Sequence, residues 1–464
     1  MKKTTFALFF GNRGFFPGEL IASARKAMIE ACEKNGFGYI VMDENLTRYG
    51  AVETLAEGKL YAKFLKEHEG EYDGIILSLP NFGDENGAAA AFRDVDVPIL
   101  VQACPDEMDK MDFAHRRDSM CGKLAMCNVL RQMGIKYTLT KKFCVDILSA
   151  DFAEDLRLFA GTCRVVKGMR KFSVGAIGAR TTAFKTVRCD EIAFQNKRVN
   201  IETIDMSNVF TMVDNADPAK VEAKKALYLT LSDFSGWKPE KLENIARLGV
   251  AIDEIIESFD LQAISIRCWD ELQKRYGIAP CLILGELNER GIAAACELDT
   301  TNAVMMRAVG LAADYPVVLL DVNNNYMDDP NKCIFFHCGP APSSMMEGAG
   351  QIQQHLMFKK SYGDGSGVGI NVGQLIRGDM TVGSFKTENG QLCAFVTEGR
   401  FTEEKLPDCF FGMGAVFEKE NVNDMLNYMA TNGYRHHVAI TKGNYAQSVA
   451  EAFRNYLDYK IDLI

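Results

Sequence analysis

A chain of 464 residues is too long for one ordinary domain, and two or three are expected. With 47% hydrophobic and 25% charged residues the composition is globular, and no window reaches the ~18 uninterrupted apolar residues of a membrane span. The net charge of −10 leaves no basic excess for phosphates, which argues against a nucleic-acid partner.

The apolar run 6–10 is too short for the core of a secretory leader, and Gly11 and Arg13 follow at once. It reads as a first strand over 4–10, and a cytoplasmic location is expected. Apolar residues at helical spacing predict a helix over about 17–35, with a strand at 39–42 and a helix near 51–69. Strands at 73–79 and 97–101 continue a β-α-β-α rhythm, which predicts a parallel, doubly wound sheet. Sites in such sheets lie at the carboxyl ends of strands, where Arg13 stands in the loop Gly11-Asn12-Arg13-Gly14. That loop matches neither a dinucleotide fingerprint nor a phosphate loop, so a tight turn with a surface arginine and an anion-binding arginine both remain open.

Asp118 or Ser119 is a plausible N-cap for a helix ending at Gly134, and a further helix spans about 153–168. A second α/β pattern follows: strands at 172–177, 200–205 and 263–267, and long helices at 218–228 and 239–258. Arg180 follows the first of these strands, and Arg267 with Trp269 ends the last. After Asp329-Pro330 short strands alternate with glycine turns, at 333–336, 367–372, 379–387 and 391–398. The fold expected is two doubly wound α/β domains, 1–168 and 169–330, followed by a mostly antiparallel, barrel-like β domain, 331–464.

Fourteen cysteines are scattered singly with no CxxC pair, which reads as reduced thiols. Only six histidines occur. His68, His115 and His355 read as surface residues. Glu297 follows the small apolar run 292–296, and Asp321 follows the strand-like run 317–320. A carboxylate at the end of a buried strand needs a partner. A hard divalent cation is one such partner; helix capping or pairing with basic residues is another, and the local sequence leaves both open.

Three motifs resemble, in order along nearly the whole chain, the L-fucose and L-arabinose isomerases. They are Cys296-Glu297-Leu298-Asp299 with Asn302, then Leu320-Asp321-Val322, then Arg435-His436-His437-Val438-Ala439-Ile440-Thr441-Lys442-Gly443. The resemblance implies a manganese-dependent aldose–ketose isomerase, with Co2+ or Mg2+ as alternative ions, acting on a free sugar. By the same resemblance Glu297, Asp321 and His437 hold the metal, and Glu297 and Asp321 are the bases. His436 takes the position of an asparagine in fucose isomerases. His337 either touches metal-bound sugar hydroxyls, in a place comparable to that of a histidine completing the metal set of arabinose isomerases, or is a satisfied loop histidine. Arg267 stands where the family leads one to expect glutamine, and either contacts an anionic part of the substrate or points to the other face of its strand; Trp269 either packs on the sugar's apolar face or belongs to the core. Arg13 would reach a neighbouring subunit's site in a trimer-based homo-oligomer. Relatives of this size convert sulfoquinovose to sulfofructose, and Arg13, Arg180 and Arg267 would suit a sulfonate. The competing reading is a non-catalytic sugar-binding or regulatory protein on an isomerase scaffold.

Overall fold

The computed structural model describes residues 3–464, which form two compact units. The first comprises the described residues up to Lys167 together with Glu451–Asp458. Its core is a five-stranded parallel sheet in the spatial order Gly38–Val41, Thr5–Phe10, Gly74–Leu79, Ile99–Ala103, Thr138–Leu139. The central strands are apolar on both faces, as burial between two helical layers requires. Helix Leu55–Glu67 opens on a capping box in which Thr54 and Glu57 exchange hydrogen bonds.

Helix Ser119–Gln132 is capped differently from the sequence expectation. Asp118 lies at φ 51° and makes no capping bond. The carboxylate of Asp106 instead accepts from the backbone N–H groups of Ser119 and Met120, each at 3.0 Å. Lys123 on this helix is fully buried, and its ammonium donates to Thr140 Oγ1 at 2.8 Å and to the carbonyl of Phe143 at 2.7 Å.

The late segment of this unit is partly π-helical, over Ala452–Leu457. Thr138 Oγ1 bonds to Glu451 at 2.8 Å and to Tyr456 at 2.9 Å, and Asn455 donates to the carbonyl of Tyr137 at 2.8 Å.

The second unit, 168–450 with Tyr459–Ile464, holds two sheets. One is a four-stranded parallel sheet ordered Ala293–Ala295, Ala263–Ile266, Phe172–Ile177, Val199–Ile204. Two parallel-sheet α/β regions were therefore legible. The other is a ten-stranded sheet, and it corrects the expectation of a mostly antiparallel domain: it is mixed. Strand Val317–Asn325 pairs antiparallel with both Lys332–His337 and His437–Lys442. Val368–Gln374 runs parallel to Met413–Glu418, Gly350–Gln354 to Ser232–Asp233, and Gln391–Phe401 to Lys460–Leu463.

All fourteen cysteines are free thiols. Among the described residues no helix is long and apolar enough to cross a membrane. His355 is not a surface residue: it is buried, with its ring 4.4 Å from that of Phe358 and 5.2 Å from that of Phe411. Burial pushes its imidazole down to about 4.

Candidate metal and sugar site

Asp321 is the fifth residue of strand Val317–Asn325 and the first whose side chain is not fully buried. Its register partner across one side is His437, the first residue of strand His437–Lys442. Across the other side it faces Phe336, which precedes His337 at the end of strand Lys332–His337. The sheet therefore sets Asp321, His437 and His337 within one small region, and His337 Nε2 lies 4.0 Å from Asp321 Oδ1.

Glu297 reaches the same region from the parallel sheet. It follows strand Ala293–Ala295 through Cys296, and both it and Leu298 are left-handed, at φ 58° and 60°. Two consecutive non-glycine residues in this conformation cost about 1–3 kcal/mol each. The turn is held by Leu298 N–H to the Ile266 carbonyl at 3.0 Å and by Asp299 N–H to the Cys296 carbonyl at 3.1 Å. The result aims the Glu297 carboxylate inward. Its Oε1 accepts from Trp269 Nε1 at 3.0 Å, and its Oε2 lies 2.8 Å from His437 Nε2.

The next residue but one supports this group from beneath. Asp299, fully buried, caps helix Thr300–Ala313 by accepting from Asn302 N–H at 3.1 Å. It also accepts from Thr301 Oγ1 at 2.7 Å, Asn302 Nδ2 at 2.8 Å, His437 Nδ1 at 2.9 Å and the Arg435 guanidinium. Burial pushes the Asp299 carboxyl up, but Arg435 and the bonds from His437 and Thr301 hold it well below the usual carboxylate range. This is a carboxylate–histidine pair of the kind that orients a ligating imidazole. Asp299 and Arg435 lie within the sequence motifs, but neither spacing nor residue type says that both are buried.

The electrostatics of the group favour a cation. Burial lowers the basicity of His437, yet Asp299 and Glu297 raise it to about 10. Burial pushes Glu297 up, and the neighbouring His437, with the charges of His337 and His436, holds it below its ordinary value. Asp321 Oδ1 and His437 Nε2 lie 3.4 Å apart and buried; the Asp321 oxygen makes no hydrogen bond among the described residues, and the His437 nitrogen faces Glu297 Oε2. Two sets of potential ligand atoms are close enough to hold an ion: Asp321, His337 and His437, and Cys296, Glu297 and His337. Carboxylate oxygens with an imidazole nitrogen suit a hard to borderline divalent ion. The residues present thus fit a metal.

An aromatic wall stands against this group. Phe184, on the segment after strand Phe172–Ile177, has its ring 5.5 Å from Trp269 and 5.7 Å from both His436 and His437. His436 Nε2 is 3.8 Å from Asp321 Oδ1. Nothing in the sequence marked Phe184, an apolar residue in a polar loop.

The arginines are engaged locally. Arg267 donates to the Trp269 carbonyl at 3.2 Å and faces Asp270 and Glu271 at 3.5 and 3.7 Å. Arg180 donates to the carbonyls of Thr181 and Thr182. Arg13 belongs to the first unit, where it pairs with Glu85, donates to the Gly83 carbonyl at 3.0 Å and lies over the Phe82 ring.

Two family models match the chain. The N-terminal domain of fucose/sulfoquinovose isomerases matches residues 7–170, and the C-terminal domain of L-fucose isomerase matches residues 335–464. The sulfoquinovose isomerase of Alkalicoccus urumqiensis is 22% identical over 402 residues, covering 84% of this chain and 86% of that protein. The sulfoquinovose isomerase of Priestia aryabhattai is 22% identical over 305 residues, 63% of this chain and 64% of its own. That of Clostridium sp. (strain MSTE9) is 23% identical over 242 residues, 50% of this chain and 51% of its own. His337 and His437 fall within the second matched segment, and Glu297 and Asp321 between the two.

Proposed function

Because the chain belongs to the fucose isomerase-like family of aldose–ketose isomerases, we propose that it interconverts a free aldose and its ketose at a divalent-metal centre held by Glu297, Asp321 and His437. The observation that carries this reading is the convergence of three ligand-type atoms, His437 Nε2 lying 2.8 Å from Glu297 Oε2 and 3.4 Å from the buried Asp321 Oδ1. Manganese suits this donor set, and cobalt or magnesium has related chemistry. When bound, such a cation polarises the sugar carbonyl and offsets negative charge that develops on the substrate oxygens.

The chain's own residues handle the protons. Isomerisation through a cis-enediol removes the proton from C2 and adds one to C1, while a hydroxyl proton moves from O2 to O1. Glu297 and Asp321 are the bases for these two transfers. Trp269 fixes the orientation of the Glu297 carboxylate through its N–H, and Asp299 fixes that of His437. Phe184, Trp269 and His436 supply an aromatic wall for the C–H face of the sugar.

For the substrate, the reading favoured is a sulfonated hexose, sulfoquinovose, giving sulfofructose; an L-fucose- or arabinose-like sugar is the alternative. Support comes from the relatives named as sulfoquinovose isomerases. Arg180 and Arg267 leave the ends of adjacent parallel strands, which puts two guanidinium groups on neighbouring loops for an anionic group. Arg13 would join from a neighbouring subunit of a trimer-based homo-oligomer. Purified protein with manganese, offered L-fucose, L-arabinose, D-arabinose and sulfoquinovose in turn, tests this by 1H NMR of the ketose product. Turnover of sulfoquinovose with little of the neutral sugars is expected. Metal-loaded protein that turns over none of them overturns the reading.

A further inference from the structure

The two buried imidazoles of the site have opposite hydrogen-bonding frames. His437 Nδ1 lies 2.9 Å from Asp299 Oδ2, and an ionised carboxylate only accepts. Nδ1 therefore carries a proton, and Nε2 is the atom presented to Glu297 and Asp321. His337 is held the other way round. The backbone N–H of Cys338 donates to its Nδ1 at 2.8 Å. That N–H uses the nitrogen's lone pair, and a proton there would clash with it; the Cys338 thiol, with Sγ 3.1 Å from the same nitrogen, is the weaker contact and can donate to it as well. Nε2 is then the nitrogen that carries a proton.

A protonated Nε2 has no lone pair for a metal. It is a donor, and its surroundings leave it weakly engaged. Asp321 Oδ1 at 4.0 Å is beyond hydrogen-bond reach. Cys296 Sγ at 3.1 Å is the one hydrogen-bond partner of this nitrogen among the described residues, and a cysteine sulfur is a weak acceptor. An oxygen bearing developing negative charge is a far better one.

We propose that His337 is not a metal ligand but a fixed Nε2–H donor to the substrate oxygen on which negative charge develops during isomerisation. The metal is then held by three side chains, and Cys296 keeps the donor aimed until substrate displaces it. Two features hold His337 in this role. Its ring is buried, at 3% exposure, and Gly339 lies two residues on at φ +139°. A Cβ on Gly339 would stand 2.4 Å from the backbone nitrogen of Asn371, so the turn that follows Cys338 admits only glycine there.

The inference rests on the proposed isomerase site, and one experiment separates the two. Metal content, manganese affinity and isomerase kinetics are measured for the parent and for His337→Leu, His337→Gln and His437→Leu, with thermal unfolding as the check on folding. His437→Leu is expected to lose metal. Both His337 variants are expected to keep the parent's metal stoichiometry and nearly its affinity. Loss of one such donor lowers kcat by about 10²–10³ in His337→Leu. His337→Gln, whose amide N–H stands in for Nε2–H, recovers part of that loss with KM little changed. Folded His337→Leu protein that loses metal as His437→Leu does overturns the inference, as does full metal with unaltered kcat. A parent that binds no divalent metal overturns the site reading and this inference with it, and is seen before any variant is made. Selective 15N-histidine labelling, with His337→Gln for assignment, gives a readout independent of activity: a His337 ring protonated on Nδ1 rather than Nε2 overturns the inference.

Discussion

His437 and Asp321 are direct register partners on adjacent antiparallel strands, with Nε2 and Oδ1 3.4 Å apart. Cross-strand partners place two side chains on one face of a sheet at fixed spacing. The ladder that builds the sheet core thus also sets the spacing of two of the three proposed ligands, and Glu297 closes on them from the other sheet.

The first prediction concerns the ligands. Glu297→Gln, Asp321→Asn and His437→Leu should each lose bound manganese after dialysis, where the parent retains about one ion per chain. Inductively coupled plasma analysis of purified protein checks this. Retention in all three variants sinks the metal assignment.

Asp299→Asn should weaken manganese binding by about 10–100-fold while leaving all three proposed ligands in place. It should also lower stability by about 3–5 kcal/mol, because Arg435, 7% exposed, keeps its charge and loses its ionised partner. Metal titration and urea unfolding measure the two effects separately. Unchanged affinity would remove Asp299 from the site's support.

Phe184→Ala should raise KM for the sugar by about tenfold, the scale of a lost aromatic contact of about 1.4 kcal/mol, with metal content unchanged. Initial-rate kinetics at saturating manganese decide it. A fall in kcat with constant KM would mean that Phe184 does something other than pack against the ground-state sugar.

Lys123 predicts a pH dependence. Burial pushes its ammonium down from the ordinary 10.5 to about 8, against the opposing influence of Cys127, Cys144 and Asp155. Between those two values the unfolded chain holds a proton that the folded chain has released, so stability rises with pH. Relative to Lys123→Met, the parent should gain about 3 kcal/mol from pH 8 to pH 10.5 and show no such change below pH 7. Titrating groups away from Lys123 are shared by the two proteins and cancel in the difference; Cys127, Cys144 and Asp155, which face it, are coupled to its charge and contribute to the same difference. A parallel pair of stability curves would show that Lys123 keeps an ordinary affinity for its proton.

Local pattern carried most of the secondary structure. Strand Phe172–Ile177 and helix Pro239–Ser258 fall where the apolar periodicity and the proline at the helix start put them. The three proposed ligands were legible through motif resemblance rather than spacing. What was not legible depends on distant partners. Asp106 caps a helix thirteen residues on, a reach no local capping pattern encodes. Ser232–Asp233 is too short to have a period, yet it extends the large sheet beside Gly350–Gln354. His355 sits beside Gln351–Gln354 in a polar stretch and reads as surface; only tertiary packing against Phe358 and Phe411 buries it. Asp299 is spelled out in the sequence, but its task follows from burial beside His437 and Arg435.

The segment Glu451–Asp458, which bonds to Tyr137 and Thr138 within the first unit, sets an order of events at the ribosome. The rest of that unit ends at Lys167, so roughly 280 residues are made before its last piece emerges. At about 5–20 residues per second this is a wait of roughly 15–60 s. Over that interval the nascent first unit exposes the edge at Thr138–Leu139 where the missing segment belongs. The part of the protein encoded first is among the last to be finished.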